Sequence, residues 1–77
     1  MEIENRLRLM GLMFRLDVVA NHNPYSSGED VEESFDKIES LLLSLNHKEL
    51  LEVDADKVFE PIRPIIANVL FHHTRLN

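Results

Sequence analysis

The sequence predicts an all-α fold, a small bundle of three to four helices in which a proline kink precedes the last helix. Apolar residues recur at helical spacing in every long segment, and no useful stretch alternates with the period of two expected of a strand. Two glycines and three prolines among 77 residues leave little room for long loops. A chain of this length makes one domain, residues 1–77, whose core contributes only about 3–5 kcal/mol of net stability.

The first helix is predicted over residues 3–20, which contain no proline and a single glycine. Residues 21–28 are predicted to form a loop, because asparagine, proline, serine and glycine each favour turns.

The second helix is predicted to begin after Ser26 or Ser27. Ser26 with Glu29, or Ser27 with Asp30, has the spacing of a capping box. One narrow apolar stripe then follows at spacings of three and four residues: Val31, Phe35, Ile38, Leu42 and Leu45, with Leu41 beside them.

The end of the second helix has two interpretations. Asn46 and Glu49 have the spacing of a fresh capping box that would open a short helix through Val53, but the second helix could equally run on to that point. Asp54 is then predicted to be an N-cap, with a helical turn over residues 55–60.

Two prolines, Pro61 and Pro64, predict a kink near residues 60–64, because proline lacks a backbone donor and clashes with the preceding turn. The last helix is predicted over residues 62–73. Its apolar stripe consists of Ile62, Ile65, Ile66, Val69, Leu70 and His73.

Helix one has two apolar sides, whereas a surface helix in a small bundle needs only one. The first side holds Ile3, Leu7, Met10, Phe14 and Val18, and the second holds Leu9, Leu12, Met13, Leu16 and Ala20. We expect one side to pack on the other helices and the other to bind a second chain, with Leu9, Leu12, Met13 and Leu16 as the apolar partner-binding residues. The alternative is a central helix one, covered on both sides by its own domain.

The absence of cysteine supports an associating chain. Neither a disulfide nor a thiolate metal site can stabilise the fold, so association with another chain, most simply as a homodimer, is the remaining source of stability.

Acidic residues dominate the second helix. The net charge is −6, and residues 21–45 carry six carboxylates against Lys37 alone. One explanation is an ordinary solvated helix whose first turn favours acids. The functional alternative is an acidic surface for a basic protein partner, formed by Glu29, Glu32, Glu33, Asp36 and Glu39. Nucleic acid and anionic membranes would be repelled by this charge.

Metal binding and catalysis have no support in the sequence. His72 and His73 are adjacent, so they point about 100° apart on a helix and cannot share an ion. His22 and His47 have no second ligand at a fixed spacing. No Gly-rich phosphate loop, nucleophile elbow or HExxH spacing occurs. The sequence therefore predicts a protein that is not an enzyme and has no cofactor and no metal.

The leading interpretation is a cytoplasmic, homodimeric interaction protein that binds a larger protein and modulates or inhibits it. Acids precede the arginines at the start, the wrong order for a secretory signal, and no apolar run approaches the length of a membrane span. The alternatives are a structural subunit of a larger assembly, or an immunity protein or antitoxin that neutralises a toxin. The short, acidic, cysteine-free profile is similar to that of phage and mobile-element proteins that bind a host factor, which would place the chain in the host cytoplasm.

Overall fold

The protein folds as four α-helices joined by short connections. The computed structural model describes residues 1–22, 25 and 27–76, with side chains as far as residue 73. The elements are α1 (Ile3–Asp17), a π-helical turn (Val18–His22), α2 (Gly28–Leu43), α3 (His47–Ala55), a 3₁₀ helix (Lys57–Ile62) and α4 (Arg63–Leu76). No strand occurs in these described residues, so the predicted all-α bundle is confirmed.

The first connection is shorter than predicted. Helical hydrogen bonding continues past the predicted end of helix one through the π-helical turn, which includes Asn21 and His22. Asn23, Pro24 and Ser26 lie outside the described residues. The prediction that Ser26 could be the N-cap concerns one of these residues.

Two capping boxes decide where α2 and α3 begin. The Ser27 hydroxyl accepts a hydrogen bond from the backbone N–H of Asp30 at 3.3 Å, and the Asp30 carboxylate accepts from the Ser27 N–H at 3.0 Å. Asn46 and Glu49 make the same reciprocal pair at 2.8 and 3.2 Å. The second box starts a separate helix, so α2 does not run on through residue 53.

The N-cap predicted at Asp54 is wrong, because α3 continues two residues beyond Val53 and includes Asp54. Asp56 has the extended backbone of an N-cap instead, and its carboxylate accepts a hydrogen bond from the Val58 N–H at 3.0 Å. Pro61 then lies inside the 3₁₀ helix. Pro64 lies in the first turn of α4, where a missing N–H leaves no intrahelical bond unmade.

The core is a single cluster of apolar side chains from all four helices and the 3₁₀ helix. Its buried members are Leu9, Ile38, Leu42, Leu45, Leu50, Val53, Phe59, Ile62, Ile65, Ile66 and Val69. The central residues of the stripes predicted on α2 and α4 therefore face inward. Ser34 is the one buried polar side chain in the described part, and its hydroxyl donates to the Asp30 carbonyl at 3.0 Å.

The bundle is thin in one direction. α1 packs mainly on α2 and the 3₁₀ helix, whereas α4 packs on α2, α3 and the 3₁₀ helix. The principal extents are 41 × 25 × 17 Å, and a helix with its side chains is about 10–12 Å across. Because α1 packs mainly on only two other elements, one of its sides stays exposed, with Ile3, Leu7 and Phe14 each more than half exposed.

None of the described helices combines the length and apolar character needed to cross a membrane.

Candidate protein-interaction surfaces

Helix α1 turns toward the core the side that the sequence assigns to a partner. Leu9 is completely buried, and Leu12, Met13 and Leu16 are half-buried against the core. Leu9 is therefore closed to a partner in this structure, whereas Leu12, Met13 and Leu16 keep part of their surface exposed, and Met13 and Leu16 belong to the lining of an open groove. Leu9 and the packed parts of the other three side chains anchor α1 to the bundle.

The opposite side of α1 carries the exposed apolar surface. Ile3, Leu7 and Phe14 are 75, 58 and 69% exposed, and Met10 between them is half-buried. These four residues are named the α1 stripe. Surface apolar side chains are ordinary when they are scattered singly, whereas these residues follow one another at helical spacing on one side of α1. Helix α1 therefore has two apolar sides, of which the side with Leu9 packs against the core and the side with the α1 stripe is mostly exposed.

An apolar groove of about 550 Å³ opens beside the C-terminal half of α1. Phe14 and Phe35 form exposed parts of its wall, and the buried Ile62 belongs to its lining. The lining residues come from α1, the π-helical turn, α2 and the 3₁₀ helix: Met13, Phe14, Leu16, Asp17, Ala20, Asn21, Phe35, Pro61 and Ile62. Because the lining residues come from segments distant in sequence, the periodicity of apolar residues along the chain does not predict the groove.

The π-helical turn forms a polar rim at one part of the groove. The Asn21 side-chain amide donates to Asp17 Oδ1 at 3.0 Å, and His22 Nε2 lies 3.3 Å from Asp17 Oδ2. A π-helix pairs residues five apart, which places His22 within reach of Asp17. The Asp17 carboxylate at the end of α1 therefore contacts both Asn21, four residues later, and His22, five residues later.

The acidic residues of α2 are divided between internal pairs and open surface. Asp30 belongs to the capping box, and Glu33 pairs with Lys37 at 3.0 Å one turn further on. The other four acids are exposed and form no ion pair within the described part of the chain. They are named the acidic row: Glu29, Glu32, Asp36 and Glu39.

The acidic row runs beside the groove. Phe35, which lines the groove, has Glu32 three residues before it and Glu39 four residues after it. Residues at these spacings are neighbours on a helix surface. An apolar contact at Phe35 would therefore lie within reach of two unpaired carboxylates. Of the five acids predicted as a partner surface, only Glu33 forms an ion pair within α2, and its partner is Lys37.

Arg6 on α1 contacts Asp56 at the start of the 3₁₀ helix, and the spacing of residues in the sequence does not predict this contact. Arg6 Nε donates to Asp56 Oδ2 at 3.1 Å, and the guanidinium carbon lies 5.9 Å from the centroid of the Phe59 ring. Hydrogen bonds from the Val58 N–H and then from Arg6 hold the pKa of the Asp56 carboxyl below its usual value. This contact fixes α1 against the segment that supplies one wall of the groove.

The start of α1 is also held by charge. The N-terminal ammonium of Met1 donates to a Glu52 carboxylate oxygen on α3, and this contact lowers the pKa of Glu52. Two contacts, at Met1 and at Arg6, therefore hold the N-terminal part of this segment against the bundle.

The groove and its rim present apolar, hydrogen-bonding and charged groups. Within residues 1–22, 25 and 27–76, no group of three histidine, aspartate or glutamate side chains is arranged to hold a metal ion. The groove lining contains one carboxylate, Asp17, without a second titratable group beside it in the lining.

No protein-family model matches the sequence, and no curated protein or solved structure is significantly similar to it.

Proposed function

We propose that this chain is a small acidic interaction protein that binds a larger protein through the groove and the acidic row. By covering a surface of that protein, it would modulate or inhibit it without catalysis. The observation that carries the proposal is the apolar groove between Phe14 and Phe35, which opens next to unpaired carboxylates.

The shape and lining of the groove favour a protein segment as ligand. A volume of about 550 Å³ accommodates one or two large apolar side chains. An amphipathic helix could insert such side chains at spacings of three or four residues, as in other helix-in-groove complexes. Phe14 and Phe35 are aromatic, and aromatic side chains are frequent hot spots of protein interfaces.

The charge next to the groove favours a basic segment. Glu32 and Glu39 lie one turn before and one turn after Phe35, and neither has a basic partner within the described part of the chain. Lysine or arginine residues that flank the inserted apolar side chain would be attracted to these carboxylates. Since the carboxylates are exposed, salt would screen this attraction.

Comparative affinity capture from the native host cells tests the proposal. A captured protein should be retained by the wild-type chain and lost by at least about tenfold with Phe35→Ala, which removes an aromatic anchor. Reversal of the acids with Glu32→Lys, Asp36→Lys and Glu39→Lys should weaken binding too, and it should reduce the dependence of binding on salt.

Leu51→Ala provides the matched control, because Leu51 has an exposure similar to that of Phe35 and lies on α3 outside the groove lining. Each variant is first compared with the wild type by circular dichroism. The proposal fails if wild type retains no protein above the control level. It also fails if a retained protein binds the Phe35→Ala and triple-lysine variants as well as it binds wild type.

A second candidate is a structural subunit of a larger assembly. It is favoured by exposed apolar side chains on other helices, namely Leu43 on α2, Leu51 on α3 and Phe71 on α4. A subunit of this kind would show no cooperative thermal transition when isolated, whereas a self-contained interaction protein would. Calorimetry of the purified chain separates the two.

A further inference from the structure

The α1 stripe has the spacing of a coiled-coil seam. Ile3, Leu7, Met10 and Phe14 follow one another at intervals of four, three and four residues. These intervals match the d, a, d and a positions of a heptad repeat, whose residues pack against a second helix. Within the described part of the chain, three of the four are more than half exposed, so no helix of the same domain fills this role.

Two opposite charges lie on one flank of the α1 stripe. At about 100° of rotation per residue, Glu4 and Arg15 point within roughly 20° of each other, at opposite ends of α1. Each is exposed, and neither forms an ion pair within the described part of its own chain. A binding helix with the same charges in reverse order would complement both.

We infer that the α1 stripe binds the α1 stripe of a second copy, with the two helices antiparallel. In this orientation Ile3 lies opposite Phe14 of the partner subunit, and Leu7 lies opposite Met10 of the partner subunit. In this register Glu4 is an e position and Arg15 a b position, so Glu4 of each chain lies on the same flank as Arg15 of the partner subunit, outside the packed seam, and the same screened attraction occurs twice. A parallel pair would instead place identical charges at equal height along the seam.

Gly11 is compatible with close approach of the two helices. It lies on the same flank as Glu4, and a Cβ built on it would meet no atom within 4 Å. The outer side of α1 is therefore open at Gly11, within one turn of the two-fold axis that this pairing places between Arg8 and Leu9.

The dimer goes beyond the proposed function and does not depend on it, and the two surfaces meet at Phe14, which belongs to the α1 stripe and also lines the groove. Ile3 and Leu7 belong to the α1 stripe and lie outside the groove, whereas Phe35 lines the groove and lies outside the stripe. A variant of Leu7 and a variant of Phe35 therefore test the two surfaces separately.

Sedimentation velocity of the purified full chain tests the interface. Wild type should associate reversibly to twice the 9.0 kDa chain mass at roughly micromolar concentration, as a small interface allows. Leu7→Glu and Ile3→Glu should each weaken the dimer by more than about tenfold, because a carboxylate replaces an apolar seam residue. Far-UV circular dichroism should stay unchanged, because both side chains are exposed. Leu51→Glu is the matched control and should remain dimeric.

The orientation is tested by charge exchange. Glu4→Arg and Arg15→Glu should each weaken the dimer, and the double variant should restore it, because the pair is re-formed with its signs exchanged.

Disulfide mapping gives a second test of orientation, since the chain has no cysteine of its own. A mixture of Ile3→Cys and Phe14→Cys chains should form the mixed disulfide on oxidation.

A monomeric wild type at about 100 μM would overturn the inference. So would dimers that persist in both Leu7→Glu and Ile3→Glu, or Ile3→Cys chains that link only to one another. If Phe35→Ala loses a captured protein but still dimerises, the groove binds the partner and the α1 stripe forms the dimer, as separate surfaces.

Discussion

Arg6 donates a hydrogen bond from Nε to Asp56 Oδ2 at 3.1 Å, although the two residues are fifty positions apart in the chain. The same carboxylate accepts from the Val58 N–H and so caps the 3₁₀ helix. Because the guanidinium also lies near the Phe59 ring, one arginine connects α1 to both the start and the buried aromatic residue of that helix.

We expect Arg6→Met to destabilise the fold even though it keeps most of the apolar length of the side chain. The contact with Phe59 alone is worth about 0.5–1 kcal/mol for a cation near an aromatic face. The free energy of unfolding from urea titrations measures the loss. Arg8→Met is the matched control, because Arg8 is exposed on the same helix and makes no ion pair within the described part of the chain. Equal effects of the two substitutions would contradict a specific role for Arg6.

Acid should weaken the fold partly through Asp56. Its pKa is lowered in the folded state, first by the Val58 N–H and then by Arg6. The charged carboxylate therefore adds stability above its unfolded pKa of about 3.9, and this contribution is lost as the pH falls through the lower folded value.

The Asp56→Asn variant isolates this effect, because asparagine keeps an oxygen that can accept from Val58 and does not titrate. Between about pH 6 and pH 3, the urea midpoint of wild type should fall more than that of Asp56→Asn. Asp36→Asn, on the exposed acidic row, is the control and should follow the wild-type profile. Parallel profiles for wild type and Asp56→Asn would be evidence against the assignment.

Replacement of Gly11 by alanine should stabilise the monomer. Gly11 lies in the interior of α1, and a Cβ there meets nothing within 4 Å. Alanine in an exposed helix interior is favoured over glycine by about 0.5–1 kcal/mol. Urea unfolding at sub-micromolar concentration measures the gain without a contribution from association. Gly28→Ala, at the first position of α2, should give a smaller gain, and a loss of stability with Gly11→Ala would contradict the prediction.

The core depends strongly on one aromatic side chain. Phe59 is completely buried, and Phe→Ala in a core costs about 3–5 kcal/mol. That cost is comparable with the whole net stability of about 3–5 kcal/mol expected for a core of this size. We therefore expect Phe59→Ala to be largely unfolded at 25 °C by circular dichroism. Phe71→Ala removes the same group from an exposed position and should change stability by less than about 1 kcal/mol. A cooperatively folded Phe59→Ala would show that the core collapses around the cavity.

Local sequence determined the helices and their starts. The capping boxes at Ser27 and at Asn46 join residues only three apart, so the residue types and their spacing carry the whole interaction. The stripes of α2 and α4 are also local, because each follows from helical spacing, and their residues are buried or half-buried except Phe35, which is exposed at the groove. The end of α3 is not predicted correctly, since the N-cap is expected at Asp54, whereas the extended backbone of an N-cap lies at Asp56.

Tertiary structure decided which side of α1 became the interior. Both sides are apolar, so periodicity predicts burial for either one, and the positions of α2 and the 3₁₀ helix selected Leu9 over Leu7. The contact between Arg6 and Asp56 and the groove between Phe14 and Phe35 arise in the same way. Each joins segments far apart in the chain, and their proximity follows from how the helices pack together, which no local pattern of residues encodes.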